Sequence, residues 1–267
     1  MFTIFAPVFD DTMTNKKENR EEYNLIQRVY RKVGKAMLDY QLIEPNDRIM
    51  IGLSGGKDSL ALVDLLANRQ KKIPFKFHIV AAHIAIPEIG YKVDTQFLRQ
   101  FCAQRDVEFI EHSTQLSEEN KSKKDKNICF VCSWNRRKAL FQLAKETGCS
   151  NLALGHHMDD AIHTLLMNLV FQGSISSMPA KLSMFEGSMK IIRPMLTLTE
   201  EEVMSYMRIM KFEHCTVKNC PHEKDSNRDD MKQVIELMEK LNPNVRQSIF
   251  GAMTNLQTDY LPFKEAP

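Results

Sequence analysis

Six residues, Ser54-Gly55-Gly56-Lys57-Asp58-Ser59, separate an apolar run that ends at Leu53 from one that begins at Leu60. Two glycines let the backbone pass close to a guest, two hydroxyls donate hydrogen bonds, and a lysine adds a full positive charge; together these suit phosphate. The preceding "RIMIGL" is β-rich and the following "LALVDLLANRQ" is helical, so the loop falls where a buried parallel strand runs into a helix. At such a junction the first helical N–H groups have no internal partners and the peptide dipoles leave partial positive charge. The lysine follows the glycine pair directly, so this is not the G-x-x-x-x-G-K-S/T pattern. Asp58 would be repelled by bound phosphates unless a cation lay between, and it is expected to approach Mg2+ directly or through water. A glycine turn with a helix-capping serine is the plain alternative.

A second group of reactive residues is formed by cysteines. Six in 267 residues are too few for a disulfide scaffold. Cys129 and Cys132 form a C-x-x-C in "NICFVCSWNRRKALF", just before or at the start of a helix. That spacing brings two thiolates to one side of a turn, suited to zinc or to an iron–sulfur cluster. Far downstream, "FEHCTVKNCPH" supplies Cys215 and Cys220. On spacing alone, a closed four-thiolate zinc site and a cluster are equally open, with free thiols as the remaining alternative. Cys102 and Cys149 read as packing residues.

The elements that must position these groups follow from periodicity. From Glu21, the apolar positions Ile26, Val29, Val33, Met37 and Tyr40 recur at steps of three and four, one face of a helix. "EPND" breaks it. "FKFHIVAAHI", "VEFIEHS", "NLALGHH" and "MKIIRPM" read as further strands. "DTQFLRQFCAQRD", "SWNRRKALFQLAKETG" and "DDAIHTLLMNLVFQG" read as helices, with "TQLSEENKSKKDKN" as a polar loop. "TEEEVMSYMRIMKF" is a helix with Thr199 as candidate cap, and two more helical segments follow Asp229 and Pro243. This order predicts an α/β, doubly wound parallel sheet with its ligand at the carboxyl ends of the strands. The expected divisions are an irregular extension over 1–20, an N-terminal helix over 21–48, an ATP-binding α/β domain over 49–197 and a C-terminal helical region over 198–267.

Composition narrows the class. A hydrophobic fraction of 43% with 26% charged residues and a formal net charge of +2 is ordinary for a globular protein and neither demands nor excludes nucleic acid. The start, "MFTIFAPVFDDTMTNKKENREEYN", makes a poor secretory signal, and no stretch is apolar enough for a membrane span. The expected location is cytoplasmic, without membrane contact.

S-G-G-K-D-S in this position resembles the PP-loop of the ATP pyrophosphatases, whose sheet is of the adenine nucleotide alpha hydrolase type. The resemblance implies cleavage of ATP between its α and β phosphates, transfer of AMP to a substrate oxygen, and a loop whose serines, glycines and Lys57 hold pyrophosphate. More of the chain, roughly residues 20 to 260, is similar to the tRNA 2-thiocytidine synthetase family: the segment ending in "IMIGLSGGKDS", then "CFVCSWNRRKAL", "LALGHHMDDAIHTLLMNLVFQG", "MPAKL", "IIRPM" and "CTVKNC", in that order. What this likeness implies is an enzyme using ATP, Mg2+ and a 4Fe–4S cluster to replace O2 of cytidine 32 in a tRNA anticodon loop with sulfur. By position, Cys129, Cys132 and Cys220 would hold the cluster. The Cys215–Cys220 spacing is wider than the family pattern, which keeps Cys215 as an alternative third ligand. Three ligands leave one iron open to an external sulfide or persulfide, where four would not, so an external sulfur donor such as a cysteine desulfurase is a partner. A homodimer is implied by the family alone.

Within that frame, Gly155 of "GHHMDD" would end a strand near the nucleotide and allow close approach. Asp160 would handle Mg2+ or a proton near the α-phosphate, with Asp159 as capping residue or helper. His83 and Ile84 lie where this fold contacts adenine, through backbone and apolar groups. Arg136 and Arg137, one turn beyond the C-x-x-C, are cations for the α-phosphate or the RNA backbone, with plain surface charge as the alternative for Arg137. The basic positions Lys16, Lys17, Arg20, Arg28, Arg31, Lys32 and Lys35 give a helix that either meets RNA or is simply solvated. A cytidine leaving its stack calls for an aromatic platform; Trp134, the only tryptophan, is a candidate, with core packing as the alternative. Other readings are a uridine thiolase, a lysidine synthetase, which would not need the cysteines, and a zinc-stabilised RNA-binding protein without catalysis.

Overall fold

The computed structural model describes residues 13–90, 93–116, 128–212 and 227–260. Five strands run parallel: β1 (Arg48–Gly52), β2 (His78–Ala85), β3 (Glu108–Ser113), β4 (Asn151–Ala153) and β6 (Met189–Ile192). A short antiparallel edge, β5 (Lys181–Met184), completes the order β3-β2-β1-β4-β6-β5. In register, Ile49 stands opposite Ile79 on one side and Asn151 on the other. Every residue from Ile49 to Ile51 is buried, as expected for a parallel strand covered on both faces.

The helices are α1 (Met13–Asp39), α2 (Lys57–Gln70), α3 (Thr95–Ala103), α4 (Ile128–Glu146), α5 (Met158–Gln172), α6 (Glu200–Ile209), α7 (Asn227–Leu241) and α8 (Val245–Ala252). One sheet face, carrying Met50, Val80, Ala82, Ile84 and Leu152, packs under Ala139, Leu140, Leu143 and Ala144 of α4. The opposite face receives α2, against which α1 and α6 lie. Asp94 caps α3 through Phe97 N, and Thr199 with Glu202 forms a capping box at α6, so both starts are set by local side chains.

The chain forms two compact units, Met1–His157 with Pro179–Lys224, and Met158–Met178 with Asp225–Pro267. These differ from the divisions drawn on the sequence. Helix α1 starts at Met13, inside the stretch expected to be irregular, because lysine, glutamate and arginine propagate a helix without an apolar face. Helix α6 belongs with the sheet, not with the C-terminal helices. Its Tyr206 hydroxyl donates to the buried Asp64 of α2, which also accepts from Arg105 Nε at 2.7 Å. In the second unit, Met158 and Ile162 of α5 share a core with Ile235 and Val245, so the helix that follows β4 joins α7 and α8.

Part of the basic face of α1 is paired. Arg28 and Lys32 pair with Glu202 at 3.2 and 2.7 Å, and Lys35 pairs with Asp39. Cys215, Cys220 and most of the polar loop lie outside the described residues, as do the side chains of Lys16 and Lys17.

Candidate functional site

The loop between β1 and α2 is built by its serines. Ser59 Oγ donates to Gly56 O at 2.9 Å, Ser54 N donates to Ser59 Oγ at 3.2 Å, and Gly56 N donates to Ser54 Oγ at 3.2 Å. Gly55 takes φ +89°, a conformation that penalises a Cβ. Gly56 is the N-cap of α2 and provides no side-chain cap, so the serine-capped turn is not what forms. The leading N–H groups of α2 therefore face outward without a capping oxygen, the arrangement that receives an anion.

Lys57 Nζ lies 3.0 Å from Asp58 Oδ2 and 3.1 Å from Glu200 Oε1 of α6. Burial pulls its pKa down, yet the charges and hydrogen bonds of Asp58 and Glu200 outweigh that and hold the ammonium above its ordinary value. Asp58 Oδ1 is buried without a hydrogen-bond partner and lies 3.9 Å from His157 Nε2. A desolvated carboxylate oxygen of this kind fits Mg2+ coordination, which the sequence assigned to Asp58.

Gly155 makes a close approach to the loop. A Cβ there would meet the Asp58 carbonyl oxygen at 2.8 Å and Ser59 N at 3.2 Å. The residue is pressed against the loop backbone itself, and thereby seats the loop on the end of β4. His83, at the end of β2, is buried with Nδ1 donating to Leu53 O at 2.8 Å. Burial lowers its pKa, opposed by that hydrogen bond, and the Arg136 charge lowers it further. Ile84 beside it is buried.

Helix α4 starts at the carboxyl ends of the strands. Cys129, exposed, and Cys132, half-buried, occupy its first turn; Arg136 follows one turn later, close enough to bias His83. Leu140, another turn on, sits 3.2 Å from where a Cβ on Gly52 would be. The two thiols thus stand on the same edge of the sheet as the phosphate loop. Two cysteines one turn apart fit a soft-metal or cluster site. Among the described residues no group of three metal-ligating side chains occurs, and both candidates for the third thiolate lie outside them. Cys102 and Cys149 are buried packing residues.

Two residues of this edge were not singled out in the sequence. Glu200 holds Lys57, and its only signal was an acidic triplet at a helix start. Arg193, directly after β6, is buried; its Nε donates to His156 Nδ1 at 3.2 Å and its Nη1 to Pro179 O at 2.6 Å. A cation at the tip of an apolar strand was the signal. In the second unit, Asp160 is half-buried on the first turn of α5, and Asp159 accepts from Arg246, which also donates to Glu239 Oε1 at 2.7 Å.

A family model for the PP-loop domain, ATP_bind_3, matches residues 25–231. The chain belongs to the PP-loop family. Proteins named tRNA-cytidine(32) 2-sulfurtransferase match it over most of its length. That of Geotalea uraniireducens is 35% identical, covering 90% of this chain and 96% of its own. That of Dichelobacter nodosus is 36% identical, covering 89% of each. Among solved structures, the U34-tRNA thiolase NcsA of Methanococcus maripaludis, described with its 4Fe–4S cluster, superposes with a TM-score of 0.69 at 25% identity, over 90% of this chain and 80% of that one.

Proposed function

We propose that this chain is an ATP-dependent tRNA-cytidine 2-sulfurtransferase. The observation that carries the reading is the shared edge: the PP-loop at the head of α2 and the C-x-x-C on the first turn of α4 open at the carboxyl ends of the same strands. The sulfurtransferase name of relatives at 33–36% identity supports cytidine as the base.

Two displacements make up the reaction. Cytidine O2 attacks the α-phosphorus of ATP, the bond to the β-phosphate oxygen breaks, and pyrophosphate leaves. Sulfur then adds to C2, the C2–O bond breaks, and AMP leaves with the old oxygen. The α2 N–H groups, Ser54, Ser59 and Lys57 bind the departing pyrophosphate, whose charge grows as the bond breaks. Mg2+ would be held by Asp58, through the desolvated Oδ1, and would screen phosphate charge there. His83 and Ile84 would contact adenine through backbone and apolar groups, and Arg136 would be a cation for the α-phosphate or the RNA backbone. A 4Fe–4S cluster would be held by Cys129 and Cys132 with Cys220, and would supply an open iron for incoming sulfur.

This reading carries with it an external sulfur donor of the cysteine desulfurase type, a homodimer and a cytoplasmic location with the tRNA pool. No helix among the described residues is long and apolar enough to cross a membrane. The test is nucleoside mass analysis of tRNA from cells lacking the protein. Loss of 2-thiocytidine, restored by the wild-type chain, is expected; loss of 2-thiouridine instead would favour the uridine thiolase reading, and an unchanged profile would end both.

A further inference from the structure

The first two turns of α4 carry a side that neither the sheet nor the nucleotide loop explains, whereas Phe141 farther along packs against the sheet core. Phe130, Trp134 and Phe141 recur at steps of four and seven, which puts them in one row along the helix. Phe130 is 66% exposed and Trp134 44%, so the core-packing reading of the tryptophan does not hold. Phe141 meets Phe185 edge-on, with ring centroids 5.3 Å apart and planes at 90°. Phe185, in the turn between β5 and β6, is itself 58% exposed. It is held at φ +50° and followed by Glu186 at φ +57°, a left-handed pair that bulky residues rarely adopt.

Charge follows the same row. Lys138 places its ammonium 5.4 Å from the Trp134 ring centroid, and Arg137 beside it is exposed. From Ile128 to Lys145 the helix contains no carboxylate. Rings left in water favour a partner that buries them, and cations with no carboxylate beside them among the described residues of their helix select an anionic partner. Unpaired RNA offers both features, π-faces that stack on aromatic side chains and phosphates that meet lysine and arginine. An apolar protein surface would match the rings and leave the cations without partners.

We propose that Phe130 and Trp134, flanked by Arg137 and Lys138, form the platform on which unpaired nucleotides of the tRNA substrate stack. The proposal rests on the sulfurtransferase reading and deepens it. Cys129 and Cys132 lie between and beside these rings on the same two turns, so nucleotides stacked here are held next to the thiols.

The probe is a fluorescein-labelled RNA hairpin with the anticodon stem and loop, titrated into the full-length protein and followed by anisotropy and by the emission of Trp134, the only tryptophan. Saturable quenching of Trp134 is expected. Phe130→Ala and Trp134→Ala should each weaken binding about 5- to 150-fold, the equivalent of ~1–3 kcal/mol per stacked base, while Trp134→Tyr keeps most of the affinity. Because the side chains are exposed, melting temperatures should match wild type, which separates lost contact from misfolding. Equal hairpin affinity in wild type and both alanine variants would overturn the platform and leave the sulfurtransferase reading standing. So would competition by a blunt RNA duplex as strong as that by the hairpin, or a Trp134 response to a cysteine desulfurase and not to RNA. Failure of the wild-type protein to bind the hairpin at all, with 2-thiocytidine persisting in cells lacking the protein, would remove the underlying reading together with the platform.

Discussion

Gly155→Ala tests whether β4 seats the phosphate loop. The new methyl group would stand 2.8 Å from the Asp58 carbonyl oxygen and 2.9 Å from its carbon, whereas normal contact begins near ~3.5 Å. Two backbone segments must separate by about 0.7 Å, since neither neighbour is the flexible end of a side chain. Overpacking of this kind costs about 1–3 kcal/mol. For a folding unit of about 200 residues that lowers the melting temperature by roughly 2–12 °C. The effect on catalysis should be larger in proportion, because on the proposed reading the displaced residues meet the nucleotide. A misplacement approaching ~1 Å can cost about 100-fold in rate, so ATP-dependent pyrophosphate release should fall roughly 10- to 100-fold.

Calorimetry and a coupled pyrophosphate assay read the two effects separately. Gly56→Ala is the internal comparison: φ is −78°, and the nearest atom to its Cβ is Ser54 Oγ at 3.5 Å. Its melting temperature should stay near wild type. An alanine at 155 that leaves both the melting temperature and the pyrophosphate rate unchanged would refute the seating argument.

Lys57→Ala should abolish pyrophosphate release while iron content stays close to wild type; full activity would take the loop out of the reaction. Cys220→Ala should lose both cluster and thiolation, whereas Cys215→Ala keeps both, by iron analysis and nucleoside mass analysis; the reverse result reassigns the third ligand. His83 has a folded-state pKa below its ordinary 6.5, from burial first, so on acidification the unfolded chain takes up the proton before the native one. Its share of stability is complete above about 6.5 and is lost as pH falls through the folded value; imidazole NMR should find its midpoint below 6.5. The Cys102 thiol is pushed up to about 11 by burial, so iodoacetamide at pH 8 should spare it in the native protein and label it after unfolding, as judged by peptide mass mapping.

What the sequence discloses here is local, and what it conceals is set by topology. Period and turn chemistry place β1, the loop and α2, because a strand, a glycine pair and a helix start are each decided within a few residues. Capping at Thr199 is legible for the same reason. The antiparallel edge β5 is four residues long with alternating polar groups, too short to carry a period. The partners that fix charge are farther off still: Glu200 lies 143 positions from Lys57, and Arg246 lies 87 from Asp159. No spacing rule finds such pairs, since their proximity exists only once the elements are packed.

Gly155 and Trp134 show two ways in which residue type leaves a role open until the elements are packed. Close approach at Gly155 was inferable from its type, but that the loop backbone is a group it approaches was not. Trp134 was inferable as special from its rarity, yet exposure decides between packing and recognition, and exposure depends on which side of α4 the sheet covers. Residue type limits what a side chain can do, and burial then selects among those possibilities. At the head of α2 that selection has gone furthest. Lys57 is held by two carboxylates before any substrate arrives, so an incoming polyphosphate must displace or bridge those carboxylates. On the proposed reading, a divalent cation at Asp58 would let phosphate and carboxylate share the loop.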